Sequence, residues 1–479
     1  MNYEIPKQFF FRIHHVRPRF KCDVENVLLY MADSISGLKP EQKDVFRTDL
    51  NSLIKAYPGN STQTQKTIDN WRTEISSLFS LFQIHGDVVS PGLRAKELAK
   101  SGDVVEFFKE FLFLFQYPGG HIKPKSVLEQ IEHGVHFKPA QYLLSIFQEA
   151  KNRGVPHFRL SKAEVCHCVF NDLRATSCLE TPSETLNRIL ENKENNVTYD
   201  ESGDVIRYAG DILDYMYIAN LLNNFNGEFS LNSSEGLSIS TFLSSTLWFS
   251  GYDKMISSQS GSIDKVSSLT ESWLDYANQA LTGLDFTTDV SSLLEEGGGD
   301  SGVGLKENTI DPIQLSFEEF VTKLKQQIDS LSTKSIGDIG EGLVTNHEQK
   351  KLQKLGLNNL VHLVKKIPTQ LSVGYDIQSF EGDGTNNKKY IEVKTTISAN
   401  PLKADRVHLT ANEWNSAQTL RRSYYIYRVQ ITKKALSLFV VNDPVGLYKT
   451  DKIVMTPKDD GAELQFSPQK VGHYEEIVL

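Results

Sequence analysis

The chain has 479 residues, 39% of them hydrophobic and 23% charged, with a formal net charge of -9 and an isoelectric point near 5.8. That length supports about two to four domains of ordinary soluble composition. The acidic balance excludes a chain coated in basic charge and leaves any nucleic-acid contact to local basic surface.

Residues 1–20 carry Phe9, Phe10, Phe11, Arg12, His14, His15, Arg17 and Arg19. They read as an opening strand docked on the core or as an arm that reaches nucleic acid. From 22 to 115 the pattern is mostly helical. Ile75, Leu78, Phe79 and Phe82 follow Trp71 at helical spacing, and Gly86-Asp87-Val88-Val89-Ser90-Pro91-Gly92 signals a short hairpin. Helices followed by a Gly/Pro-punctuated hairpin predict a winged-helix-like DNA-binding module over 1–115. Gln63, Gln65, Lys66, Asn70 and Arg72 suit base edges or phosphates, as does any polar helix surface. The stretch Val104 to Tyr117 is broken by Glu106, Lys109 and Glu110, too short and charged to span a bilayer. Its run Phe107-Phe108 through Phe115-Gln116-Tyr117-Pro118 resembles the segment joining the DNA-binding modules of AlwI-type restriction and nicking endonucleases.

A second helical or winged-helix-like module is expected over 116–225, with Ser161 and Glu164 as a capping box. Cys166, Cys168 and Cys178 lack the spacing of a zinc knuckle, so buried core cysteines are expected there. With Cys22 they suit a reducing compartment. The first residues, Met1 to Lys7, show no signal-peptide pattern, and a cytoplasmic protein is expected. Residues 226–333 read as a helical connector. Gly297-Gly298-Gly299-Asp300-Ser301-Gly302 matches G-x-G-x-x-G, but no strand precedes it and its neighbours are acidic, so a linker is expected. Ser316 and Glu319 then cap an amphipathic helix running to Leu331.

The chemistry lies in 334–479. Asp376 precedes a turn-rich loop (Glu381 to Asn387), and Tyr390-Ile391-Glu392-Val393-Lys394-Thr395-Thr396 follows. Strand side chains alternate between faces, so Glu392 and Lys394 share one face while Ile391, Val393 and Thr395 take the core-side face. An antiparallel hairpin would bring Asp376 beside Glu392. Two carboxylates suit Mg²⁺, which prefers oxygen ligands and keeps several waters. The bare D…E-x-K pattern also arises by chance on ordinary hairpins. Upstream, Gly340-Glu341 lies in a helix with the apolar stripe Ile339, Leu343, Val344, His347, Leu352 and Leu355. Downstream, Thr410-Ala411-Asn412-Glu413 is a capping box, and Tyr424 to Val429 and Leu438 to Val441 read as strands.

Helix, strand, strand, helix, strand resembles the PD-(D/E)XK nuclease core. Residues 335–430 look like the protein NO VEIN C-terminal domain family. The matching pieces are Gly340-Glu341, Gly374 to Phe380, Ile391 to Thr396, Asn412-Glu413-Trp414 and Tyr424 to Val429. No proline precedes Asp376, a departure from the motif. The resemblance implies catalytic roles for Asp376, Glu392, Lys394 and Glu341. It also implies a metal site of Asp376, Glu392 and the Val393 carbonyl, filled by Mg²⁺ with Mn²⁺ as a substitute. Dibasic pairs (Lys350-Lys351, Lys365-Lys366, Lys388-Lys389, Arg421-Arg422, Lys433-Lys434) surround this motif. Lys388-Lys389 are expected to flank the site.

The expected fold is multidomain α+β: mostly helical winged-helix-like modules followed by an α/β PD-(D/E)XK core. The expected function is metal-dependent cleavage of duplex DNA at specific sites by a restriction or phage-defence endonuclease, working as a homodimer at least on DNA. A modification-dependent endonuclease and a DNA-binding regulator with an inactive nuclease-like domain remain open alternatives.

Overall fold

The computed structural model describes residues 2–294 and 336–477, apart from positions 17, 19, 202–205, 259, 260, 289, 369, 370, 372, 384, 386, 434 and 459. The Gly-rich stretch 295–304 and the amphipathic helix expected from Ser316 to Leu331 lie outside the described residues. So do Arg17, Arg19 and Lys434. The protein is mixed α+β, with many helices and four sheets among the described residues, in two units. One unit comprises residues 1–100 and 104–288, the other 289–479 with 101–103.

The first unit contains a similar strand plan twice, a helix and a short strand, then helices, then a hairpin, with more helices between strand and hairpin in the second run. Helix Val24–Ser36, β1 (Glu41–Gln42), helices Lys43–Ala56 and Gln65–Thr73, β2 (Phe82–His85) and β3 (Val88–Pro91) make the first run. Strand β1 pairs with β3, giving the order β1-β3-β2. Helix Gln65–Thr73 starts because the Thr64 side chain accepts the Thr67 amide, and it buries Ile68 and Trp71 three residues apart. After a wide turn at Glu74–Leu78 the backbone reverses at Ser80, φ 51°. Phe82, which helical spacing had grouped with Leu78 and Phe79, therefore opens β2 opposite Pro91. Gly86, at φ 60°, supplies the left-handed residue of the tight turn.

The second run has helix Pro139–Asn152, β4 (Leu160–Ser161), and the helical stretch Lys162–Val165 continuing as Cys166–Phe170. Helices Pro182–Glu194 and Arg207–Ile218, β5 (Leu222–Phe225) and β6 (Glu228–Leu231) follow. Strand β4 pairs with β6, again giving the order β4-β6-β5. Ser161 and Glu164 form the expected capping box. Asn226 and Gly227, at φ 54° and 90°, make a two-residue turn in which both residues are left-handed. This hairpin crosses position 225, where the sequence reading ends the second module. Cys166 and Cys168 are buried and all four cysteines are free.

Two features separate the runs. Helix Gln65–Thr73 buries only Ile68 and Trp71, whereas Arg207–Ile218 is buried at eight positions, among them Ile212, Leu213, Tyr215 and Met216. Helix Val104–Leu114 supplies the opposing surface, with Phe108 stacked on Tyr215 at 5.3 Å between centroids. The opening residues dock on the second run and the segment before it: Asn2 bridges to Thr198, Phe10 to Asp172, and Phe11 stacks on His133 at 4.0 Å.

The second unit is built on a six-stranded sheet. Its strands are β7 (Lys365–Lys366), β8 (Ile377–Phe380), β9 (Lys388–Ser398), β11 (Tyr424–Thr432), β12 (Leu436–Asn442) and β15 (Gly472–Glu475), in the order β15-β12-β11-β9-β8-β7. Strands β9 and β11 are parallel and the other pairs antiparallel. A smaller sheet joins β10 (Arg406–Thr410), β14 (Gly461–Phe466) and β13 (Ile453–Lys458) in the order β10-β14-β13. Both faces of the large sheet are covered. On the face of Tyr424 and Ile426, a core with Leu409, Ala417, Phe439, Val441 and Leu464 joins the small sheet and helix Ala411–Leu420. The other face carries helix Ile336–Lys354, which buries Leu343, Val344, His347 and Leu352. Leu355, expected in that stripe, is 51% exposed just past the helix end, and Glu348 is buried instead. Glu348 survives there because Lys389 and the Tyr427 hydroxyl bond to it.

Gly340 sets how closely this helix approaches β9. A Cβ there would lie 1.7 Å from Thr395 Oγ1 and 2.9 Å from Thr395 Cβ. Threonine is branched at Cβ and cannot swing clear. Gly340→Ala should therefore destabilise the protein by about 1–3 kcal/mol despite the better helix propensity of alanine, checked by denaturant unfolding. The far end of the helix is tied to β15: Glu475 accepts from Lys351 at 2.7 Å and lies 3.2 Å from His347 Nε2. Hydrogen bonds from His347, Lys351 and His473 hold the Glu475 carboxyl well below the usual range. A depressed carboxyl contributes stability that is present above its unfolded pKa, about 4.3, and lost as pH falls below it. Glu475→Gln should lower the unfolding midpoint at pH 7 and cost progressively less below pH of about 4. An equal loss at both pH values would refute this ion-pair account.

Candidate active site

The register of β8 on β9 pairs Ile377 with Ile391, so Asp376, one residue before β8, stands opposite Glu392. The Asp376 amide donates to Ile391 O at 2.9 Å and its carbonyl accepts from Ile367 at 2.7 Å, which continues the sheet past the end of the strand. Gly374 makes this path possible. It sits at φ 73°, and a Cβ there would lie 2.5 Å from Ser416 Oγ and 2.6 Å from Asn412 O. The approach is then clamped: Ser416 donates to Val373 O at 2.8 Å and Tyr424 to Gly374 O at 3.0 Å.

On the shared face, Asp376 Oδ2 accepts the Val393 amide at 2.8 Å. Lys394 Nζ lies 2.7 Å from Glu392 Oε1 and 2.8 Å from Glu413 Oε2. Glu413 is the third residue of helix Ala411–Leu420, and the expected capping box is formed: Thr410 N donates to Glu413 Oε2 at 3.0 Å, and Glu413 N to Thr410 Oγ1 at 3.4 Å. Asp376, Glu392 and Lys394 are thus brought together as the spacing predicts. Glu392 is nevertheless only 4% exposed, because helix Ala411–Leu420 and the small sheet cover that face.

Burial governs the electrostatics. It pushes the Asp376 carboxyl up to about 6, with the charges of Glu341 and Glu413 adding to the rise and the Val393 amide and Lys394 opposing it. Burial also drives the Glu392 carboxyl well above its usual range, against the pull of Lys394. For Lys394, burial is outweighed by Glu392 and Glu413, which hold the ammonium charged. Glu413 ends below the usual range, since Lys394 and the Thr410 amide outweigh its burial.

Glu341 stands close enough to raise Asp376, yet its carboxylate pairs with Lys366 Nζ at 2.7 Å, and Lys366 also binds Asp338 at 2.5 Å. Of the two lysines expected to flank the site, Lys388 is exposed on β9 at a position that shares the face of Glu392, whereas Lys389 points to the opposite face, buried against Glu348 and Tyr427, each at 3.2 Å. An odd-numbered position on β9 must face that way. Lys351 and Arg421 are likewise paired, with Glu475 and Asp443. Sequence reasoning gave Glu413 only a capping role, and its contact with Lys394 depends on how the helix is seated on the sheet. No group of three or more His, Cys, Asp or Glu placed to hold a metal ion occurs among the described residues. Among the same residues no helix is long and apolar enough to cross a membrane.

Comparison with known proteins places these units. Residues 3–274 match the family described as restriction endonuclease BpuJI, N-terminal, and residues 340–441 match protein NO VEIN, C-terminal. A solved structure of pyrene- and phenanthrene-modified DNA in complex with the BpuJ1 endonuclease binding domain is similar at 26% identity and a TM-score of 0.51. The likeness covers 58% of this chain and 100% of that one. No curated protein matches the chain. With 272 of its 479 residues inside the first match, the chain belongs to the family of the BpuJI restriction endonuclease N-terminal domain.

Proposed function

We propose that this protein is a metal-dependent endonuclease of restriction type, in which residues 2–288 bind duplex DNA and the C-terminal unit hydrolyses it. The observation that carries this reading is the juxtaposition of Asp376, Glu392 and Lys394 on one face of β8 and β9. The order helix, antiparallel strands, helix, parallel strand supports a PD-(D/E)XK core around them. The DNA-bound relative supports duplex DNA as the ligand of the first unit. There, the polar exposed face of Gln65–Thr73, the helix that precedes the β2–β3 hairpin, supports a winged-helix-like contact with a groove.

The acids fit a hard cation. A half-buried and a buried carboxylate, Asp376 and Glu392, face each other, and their ionisation is disfavoured until a positive charge joins them. Asp376, Glu392 and the Val393 carbonyl would hold Mg²⁺, or Mn²⁺ in its place, and Glu341 would add negative charge from the helix. Bound there, the cation would stabilise charge on the phosphate and ease deprotonation of a water. Lys394, kept charged, orients that water or neutralises a phosphate oxygen. Asp376 is fixed by the Val393 amide, and the covered face keeps bulk water from competing. In-line attack by water then leaves 5′-phosphate and 3′-hydroxyl ends. One chain supplies one site, so cutting both strands calls for a homodimer on DNA.

Asp376→Ala should reduce cleavage by about three orders of magnitude while leaving DNA affinity, measured in Ca²⁺, within about threefold of wild type. Wild-type cutting that persists in EDTA, or undiminished cutting by the variant, would overturn the reading. Double-strand cleavage should rise with the square of protein concentration below saturation. Cutting of both strands at first order by a stable monomer would remove the dimer.

A further inference from the structure

Lys394 has two carboxylate partners, and only one of them belongs to the E-x-K motif. We infer that Glu413 is a positioning residue for Lys394, an inference that rests on the proposed hydrolytic site. Its Oε2 lies 2.8 Å from Lys394 Nζ and accepts the Thr410 amide at 3.0 Å. The carboxylate is therefore fixed from behind by the N-terminus of helix Ala411–Leu420, while the helix itself is locked to the Asp376 approach through Ser416 and Val373. The side chain is 15% exposed, so this ion pair is poorly screened by solvent.

The capping box does not explain the charge. A glutamine at this position satisfies the same reciprocal bonds as a glutamate. What needs an ionised group is Lys394. Without Glu413 the ammonium would have Glu392 as its sole ionic partner among the contacts at this site, and Glu392 is the side chain on which a cation depends. With Glu413 present, Lys394 is shared between two strong acceptors, 2.7 Å from Glu392 and 2.8 Å from Glu413, so its position is fixed from both sides. A displacement of a reacting or orienting group by about 1 Å costs up to about 100-fold in rate.

The test compares Glu413→Gln, Glu413→Asp and Thr410→Ala in the full-length chain. Thr410→Ala breaks the cap and leaves the Lys394 partner in place, so it reports the structural role alone. Two readouts are taken: single-turnover cleavage of duplex DNA in Mg²⁺ at saturating protein, and the rate of amine acylation at Lys394 followed by peptide mass spectrometry without metal or DNA. Glu413→Gln should slow cleavage by about 10- to 100-fold with DNA affinity unchanged, and should speed Lys394 acylation several-fold. Thr410→Ala should lower the melting temperature yet stay within about twofold of wild type in both readouts. Glu413→Asp keeps the charge on a shorter arm and should recover part of the cleavage rate, and it serves as the test variant if Glu413→Gln does not fold. Cleavage by Glu413→Gln at the wild-type rate, or acylation unchanged from wild type, overturns the inference. If wild type cuts no DNA, the hydrolytic reading fails, and faster acylation in Glu413→Gln but not in Thr410→Ala still establishes the positioning contact.

Discussion

The C-terminal unit depends on one registration: Ile377 against Ile391. Shifting that pairing by a single residue would turn Glu392 and Lys394 to the opposite face and replace them with Ile391 and Val393. The register is held from both ends. Gly374 lets the chain pass beneath helix Ala411–Leu420, and Gly340 lets helix Ile336–Lys354 settle on Thr395. Each glycine stands where a methyl group would collide, and each collision would move an acid of the site. The two helices therefore act on the same pair of strands from opposite faces.

That arrangement has an electrostatic consequence. Covering both faces buries Glu392 and half-buries Asp376, which raises both carboxyls. Such a site is unfavourable for the protein alone and becomes favourable when positive charge enters. Lys394 offsets part of the repulsion. A cation at the proposed site would relieve the rest. Much of the basic side-chain charge near the motif is paired with Glu348, Glu475, Asp338 and Asp443, so a phosphate at the proposed site would rely on the cation and Lys394 for its counter-charge.

Much of this site is legible in the sequence because strand alternation is a local rule. Asp376, Glu392 and Lys394 follow from period-two spacing plus one turn-rich loop, and the capping boxes at Ser161 and Thr410 from four-residue patterns. What spacing could not reach is the third dimension. Glu392 looks solvent-facing until a second sheet, built from β10, β13 and β14, covers it. Lys389 looks like a basic flank until Glu348, 41 residues upstream, takes it into the core. Phe82 keeps helical spacing with Phe79 although Ser80 has already reversed the chain. The turn at Asn226-Gly227 was locally readable as a two-residue hairpin, and a boundary drawn at 225 divided it.

The repeated strand order in the N-terminal unit shows how one sheet topology can serve two ends. Both runs place a short strand against the second arm of a hairpin, in the orders β1-β3-β2 and β4-β6-β5. In the first, the helix before the hairpin keeps a polar face in solvent. In the second, the corresponding helix, Arg207–Ile218, is enclosed by aromatic contacts with Val104–Leu114. A helix of 12 residues buried at eight positions presents little surface to a groove of DNA. If the unit grips duplex DNA as proposed, helical readout belongs to the first run. The second then contributes through its hairpin and surface loops, and through the core that holds the first in place.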